Sequence, residues 1–313
     1  MSPNNPIIHC GLDVSKSSLD LFCQGRNSNF SNSSSGIQRL IAHLASLQKS
    51  LHLVLEATGG YEQLLVRACH NASITVCVVE PGRVRHFARS QGILAKTDAL
   101  DAAVLARYGE CVQPRATTPL TAQQDQLRQL VRERARLIEL HSVLKNQSRA
   151  STLPELVRLH KKHLKLLDKQ IAQINLLIQQ TIQEDSTLKE KNDLLMAVPS
   201  IGPVVASTVL AELPELGSLN RNQIAAMAGL CPYNRDSGKW KGRRWIQGGR
   251  PLLRKALYMA AVVGMRYNPV LKPLYKNLKL LGKPSKVALV ALARHLLIHL
   301  NSILKKSHFP LAS

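Results

Sequence analysis

Leu51-His52-Leu53-Val54-Leu55-Glu56-Ala57-Thr58-Gly59-Gly60-Tyr61 decides how the N-terminal third is read. Five residues with an apolar majority end on an acid, and a Gly-Gly break follows at once. That is a short buried strand delivering a carboxylate to its own end. Working outward, Ile7–Val14 and Leu19–Gln24 read as strands, and Asn27–Ser35 is a polar, Ser/Asn-rich stretch. Apolar residues at helical spacing run from Ile37 to Leu47. Beyond the Gly-Gly break, a helix is expected from about Tyr61 to His70. A strand follows over Ile74–Val79, stopped by Pro81-Gly82. Two or three successive strands, then alternating helix and strand, predict a mixed sheet with helices packed on it, an α/β fold.

The character changes near residue 121. Glycine is absent from Thr121 to Asp185, and Leu127, Leu130, Arg134, Leu137, His141 and Leu144 recur at three and four. Leu164, Leu167, Ile171, Ile174 and Ile178 repeat the pattern, with Pro154 between the two runs. This spacing predicts a long helical hairpin with a coiled-coil seam; two amphipathic helices packed on the parent domain are the plainer alternative. Residues 191–313 form a basic, mainly helical region. In it, Val198-Pro199-Ser200-Ile201-Gly202-Pro203 reads as a tight turn opening a helix. Such a turn serves equally as a phosphate-backbone contact or as an ordinary helix junction. Three domains are therefore expected, at 1–120, 121–190 and 191–313.

Composition narrows the function. The 313 residues hold 42 Lys+Arg against 20 Asp+Glu, a net charge of +22, and a field that positive points to a polyanion such as nucleic acid. With 45% hydrophobic residues the chain can bury a core. Neither a basic amphipathic helix nor a lipidation signal is apparent, so no membrane partner is expected. Met1-Ser2-Pro3-Asn4-Asn5-Pro6 lacks a basic-then-apolar leader, and a cytoplasmic location is expected. The six cysteines, Cys10, Cys23, Cys69, Cys77, Cys111 and Cys231, form no C-x-x-C pair, which predicts reduced thiols and no zinc site. His160/His163 and His295/His299 have helical spacing but no third ligand nearby, and read as ordinary histidines.

Acids are scarce, so their placement is informative. Asp13 ends the first strand and Glu56 a later one, while Asp98 and Asp101, three apart at a helix start, project from one face. Carboxylates converging there would repel one another unless divalent cations neutralised them. Hard oxygen ligands select Mg²⁺ or Mn²⁺, and a metal pair suits phosphodiester chemistry. Each acid also has a plain explanation: a strand end, an arginine partner, a helix cap. Near the other end, Arg235, Lys239, Lys241, Arg243, Arg244, Arg250, Arg254 and Lys255 surround Trp240 and Trp245, with Asp236 the only acid among them. Cations interleaved with aromatics suit a loop that follows a phosphate backbone and stacks on bases. Ser237 lies inside it, where a serine is usually a turn residue unless something activates its hydroxyl.

Three segments, Gly11-Leu12-Asp13-Val14-Ser15-Lys16, Glu56-Ala57-Thr58-Gly59-Gly60-Tyr61 and Lys96-Thr97-Asp98-Ala99-Leu100-Asp101-Ala102, resemble the acidic motifs of the DEDD transposases of insertion sequences. Piv-type DNA invertases and bridge-RNA-guided recombinases belong to that family. Ala228-Gly229-Leu230-Cys231-Pro232, then Asp236-Ser237-Gly238, then Gly249-Arg250-Pro251-Leu252-Leu253-Arg254 resemble its C-terminal domain. The resemblance runs from about residue 7 to 306. It implies a RuvC-like, ribonuclease-H-type N-terminal domain whose Mg²⁺-binding tetrad is Asp13, Glu56, Asp98 and Asp101. It implies Ser237 as nucleophile and Arg254 as a phosphate clamp. It also implies DNA (element ends and target) as substrate, a noncoding guide RNA, and a dimer or tetramer joining tetrad and serine across subunits. Two positions depart from the family's habit: Ser200 stands where glycine is usual, and Gly248-Gly249-Arg250 replaces a Gly-Asn-Lys/Arg pattern. The rival readings are a metal-dependent nuclease or Holliday-junction resolvase using water as nucleophile, and a non-catalytic nucleic-acid-binding protein.

Overall fold

The computed structural model describes residues 7–47, 50–93, 98–234, 236–238, 240, 242 and 244–306, without the side chains of Asp98 and Ala99. The chain divides into two compact units between Pro119 and Leu120. The first contains β1 (Ile8–Val14), β2 (Ser18–Cys23), β3 (Arg26–Ser31), α1 (Ser34–Ser46), β4 (Leu51–Glu56), α2 (Gln63–Asn71), β5 (Thr75–Val79), α3 (Pro81–Ser90) and α4 (Asp98–Val112). Its strands form one mixed sheet ordered β3-β2-β1-β4-β5. The first three strands meander antiparallel, and β4 and β5 then join β1 in parallel.

Alternation along the strands gives each sheet face its own core. Cys10, Leu12, Leu19, Leu21, Leu53 and Leu55 face α1 and α2, meeting Leu40, Leu44, Leu65 and Cys69. The opposite face carries Val54, Cys77 and Val79 against Val104, Leu105 and Tyr108 of α4. The polar stretch after β2 holds a third strand: β3 pairs with β2 from Ser18↔Ser31 to Cys23↔Arg26. It lies at the sheet edge and is largely exposed, so it needs little apolar content. Pro81 does not only stop β5. It opens α3 from the first helical turn, where its missing N–H costs nothing.

The expectation of separate thiols fails for one pair. Cys10 and Cys23 stand opposite each other on β1 and β2, with Cα atoms 4.6 Å apart, and are joined as a disulfide. Burial pushes the Cys69 thiol up to about 12 and Cys77 up to about 11, which makes both inert.

The second unit is helical: α5 (Ala122–Ala150), α6 (Pro154–Glu184), α7 (Ser186–Met196), α8 (Pro203–Glu212), α9 (Arg221–Met227), α10 (Pro251–Tyr267), α11 (Leu271–Leu280) and α12 (Ser285–Lys306), with a small hairpin of β6 (Pro232–Tyr233) and β7 (Trp245–Ile246). A capping box between Thr121 and Gln124 starts α5, and Pro154 starts α6. The two helices pack along one another as a hairpin. At its base, Leu127, Val131, Ile178 and Ile182 join the same core as α7 to α12, so hairpin and C-terminal helices share one interior. Helix α12 is long and apolar enough to cross a membrane, but Leu292, Leu296, Leu297 and Leu300 bury it in that core.

Buried charge ties the hairpin base to the rest. Arg132 pairs with Glu212 at 2.6 Å, and Arg250 grips Glu215 through both terminal nitrogens at 2.7 Å each. Buried Arg134 donates to Ser207, Thr208 and the Val204 carbonyl in α8.

Candidate functional site

Asp13 and Glu56 lie side by side. In the parallel register of β1 and β4, Leu12 pairs with Leu55, so the next residue of each strand is one of the two acids. Residues level in register share a face, and this is the face opposite Leu12 and Leu55, the one that α4 covers. Gly11 and Gly109 show how the helix lies. A Cβ on Gly109 would press on His9 and Val54, and one on Gly11 would stand 1.9 Å from the Ala102 carbonyl and 2.4 Å from the Ala106 amide. Helix α4 therefore runs antiparallel to β1. Two residues further along the strand, about 6.6 Å, correspond to about four helix residues, which brings Asp13 level with the first turn of α4. That turn begins at Asp98 and includes Asp101.

The structure thus directs Asp13, Glu56 and the start of α4 to one end of the sheet. The side chain of Asp98, and Lys96 and Thr97 before it, lie outside the described residues. Among those that are described, no three His, Cys, Asp or Glu side chains stand close enough to hold a metal ion, the histidine pairs included. The donors on offer, Asp13, Glu56 and Asp101, are all half-buried carboxylates, and their oxygen chemistry fits Mg²⁺ or Mn²⁺.

Two acids escaped the sequence reading. Asp20 of β2 is the register partner of Asp13, on the same face, and its carboxylate accepts from Ser18 at 3.1 Å and from Asn29 at 2.6 Å. Only strand register could have paired it with Asp13, because the two are seven residues apart across a turn. Glu62 accepts from the Thr58 amide and hydroxyl and from the Gly60 amide. Burial alone would raise its carboxyl; these hydrogen bonds hold it below the usual range. Glu62 is therefore what shapes the loop after Glu56, with Gly59 and Gly60 supplying its positive φ values of 80° and 139°. Behind Asp13, the Ser15 hydroxyl accepts from the Ser18 amide at 2.8 Å and fixes the β1–β2 turn.

Gly11→Ala tests this packing. The added methyl meets helix backbone, so α4 must shift by more than an ångström. We expect a loss of about 3 kcal/mol, read as a fall of roughly 10 °C in thermal unfolding of the N-terminal unit. A variant unfolding within a degree or two of wild type would show that α4 does not rest on Gly11.

Ser237 occupies the tip of the β6–β7 hairpin. Tyr233 pairs with Trp245, and beyond them Ser237 and Trp240 exchange both backbone hydrogen bonds, at 3.0 and 2.9 Å. Ser237, Trp240, Arg244 and Trp245 are exposed, as is Lys255 on α10. Arg235, Lys239, Lys241 and Arg243 lie outside the described residues. Gly229 and Gly249, at φ 66° and 67°, pack against each other at the hairpin neck, and a Cβ on Gly249 would stand 2.1 Å from the Gly229 amide. Only glycine allows that approach.

Two of the cations expected on nucleic acid also have partners within the protein. Arg254 donates to the Gly248 carbonyl at 2.6 Å, bracing the neck, and Arg250 is the partner of Glu215. In the 198–203 turn, Asn268 donates to the Pro199 carbonyl at 2.7 Å and the Ser200 hydroxyl is buried at Gly264, while Pro199 and Pro203 are exposed. Ser200 holds φ 81°, a left-handed conformation that favours glycine over a residue with a side chain.

Two family models match the chain. One, for DEDD transposases of the IS110 group and described as transposase, covers residues 10–157; the other, described as transposase IS116/IS110/IS902 family, covers residues 192–276. The four acids fall in the first range and Ser237 in the second. The pilin gene-inverting proteins of Moraxella bovis and Moraxella lacunata are each 28% identical over 302 residues, which is 92% of this chain and 93% of theirs. The insertion element IS900 uncharacterized 42 kDa protein of Mycobacterium paratuberculosis is 29% identical over 160 residues, 49% of this chain and 38% of that protein.

Proposed function

The chain belongs to the DEDD transposases of insertion sequences, enzymes of DNA recombination, and on that premise we propose that it cuts, exchanges and rejoins DNA strands through a serine-linked intermediate. The carrying observation is the placement of Asp13 and Glu56, level on adjacent parallel strands and facing the start of α4. In this reading the N-terminal unit is RuvC-like, a ribonuclease-H-type fold, which the β3-β2-β1-β4-β5 order supports. Asp13, Glu56, Asp98 and Asp101 would hold Mg²⁺ or Mn²⁺. When bound, the cations supply charge neutralisation and polarisation at the scissile phosphate.

The protein's own part is positioning. The Ser237 oxygen bonds to phosphorus as its proton leaves, and the P–O bond to deoxyribose breaks, with that oxygen taking up a proton. One phosphodiester replaces another, so a second DNA hydroxyl can reverse the step and rejoin the strand. Arg244 and Lys255 are exposed cations suited to the flanking phosphates.

Self-association into a dimer or tetramer is part of the proposal. Leu156, Leu159, Leu166 and Leu177 form an exposed apolar stripe on α6 at heptad spacing, apart from the seam that faces α5. A guide RNA from the element is proposed on the family resemblance, and the net charge of +22 is compatible with two polyanions. Inversion is one outcome within reach, given the names of the two Moraxella relatives.

The test is to incubate the full-length protein, with its co-purifying RNA and Mg²⁺, with labelled element-end DNA and to denature the products. We expect label to travel with the protein, and peptide mapping to find it on Ser237. Cleaved DNA with no protein-linked strand would favour water as nucleophile, and no cleavage by an active preparation would favour simple binding.

A further inference from the structure

We propose that the Ser237 face of the β6–β7 hairpin is a stacking platform for unpaired DNA bases, with Trp240 taking the base beside the phosphate that Ser237 attacks. The proposal deepens the serine reading above and rests on it for that last clause alone. Paired residues of a hairpin share a face, which couples Tyr233 with Trp245 and Ser237 with Trp240. Trp240 therefore shares a face with Ser237, and Tyr233 and Trp245 form an aromatic pair on the same hairpin. They are not part of a core: Trp240 is 64% exposed, Trp245 57% and Tyr233 39%.

Large exposed aromatics mark a surface that something covers. Charge selects the occupant. From Arg235 to Arg244 the sequence has five cations against Asp236, and the Asp236 carboxylate already accepts from the Gly242 amide at 3.2 Å. Rings among cations match a strand that offers base faces and phosphates together. A base inside a duplex has both faces covered by its neighbours, so the platform takes unpaired ones. Strand exchange must unpair bases beside the cut, which places such a base next to Ser237.

The chain has only two tryptophans, both on this hairpin, so tryptophan fluorescence of the full-length protein reports on the hairpin alone. The probes are a mixed-sequence single-stranded DNA, its duplex, a base-free deoxyribose-phosphate strand of equal length, and single-stranded RNA of the same sequence. We expect strong quenching by the single-stranded DNA and little by the duplex or the base-free strand. Trp240→Phe should remove most of the quenching with binding kept, and Trp240→Ala should weaken single-strand binding about tenfold. Equal quenching by the base-free strand, or unchanged binding by Trp240→Ala, overturns the proposal. Tighter binding and quenching by RNA overturns the choice of DNA, and quenching on concentrating the protein alone would make the face a self-contact. Ser237→Ala should quench as wild type does, so failure of the nucleophile reading leaves this result standing.

Discussion

Ser237→Ala protein is expected to bind element-end DNA as wild type does, yet to leave no strand covalently attached and to lower strand exchange by about 10⁴-fold or more. The size follows from what is removed. A nucleophile has no partial substitute, whereas loss of a phosphate contact costs a factor of tens. The fold should not suffer, because the Ser237 amide and carbonyl, not its hydroxyl, make the pair with Trp240 that closes the hairpin tip. The measurement is a denaturing gel of labelled DNA beside an equilibrium binding curve on the same preparation. Cleavage by Ser237→Ala at the wild-type rate would sink the serine mechanism and leave a nuclease in which the serine is a DNA contact.

Asp13→Asn should lower Mg²⁺-dependent cleavage about a thousandfold, the several kcal/mol that a correctly held metal supplies. Its second effect is on folding and needs no DNA. Asp13 and Asp20 stand opposite each other in register, an arrangement of like charges that disfavours the folded sheet. Mg²⁺ should then raise the unfolding temperature of wild type, by mass action on the folded state, and raise that of Asp13→Asn little or not at all. Equal stabilisation of both proteins by Mg²⁺ would remove Asp13 from the ligand set.

Periodicity and breakers made much of this architecture readable in advance. The strands ending at Asp13 and Glu56, the glycine-free hairpin and the tight turn at 198–203 all have local causes in the sequence. What stayed hidden depends on partners distant along the chain. Strand β3 was concealed because a half-exposed edge strand can be as polar as Arg26-Asn27-Ser28-Asn29-Phe30-Ser31. Asp20 was passed over because alternation gives a side chain its face but not its neighbour across the ladder. Arg250 and Arg254 look like any cations in a basic run until Glu215, 35 residues away, and the Gly248 carbonyl are found to engage them. Ser237 is the extreme case: no period marks it, and its standing comes from motif context and its place at a hairpin tip.

The hairpin of α5 and α6 has one more consequence, a matter of length. At 29 and 31 residues its helices extend about 45 Å from an anchored base. Whatever its tip engages is therefore held at a set span from the C-terminal core, as by the arm of a caliper. That span cannot be retuned one residue at a time. A single insertion lengthens a helix by about 1.5 Å but swings every later side chain by about 100°, and only seven-residue steps of about 10 Å keep the seam in phase. Related chains with arms of different reach should differ by whole heptads in both helices together.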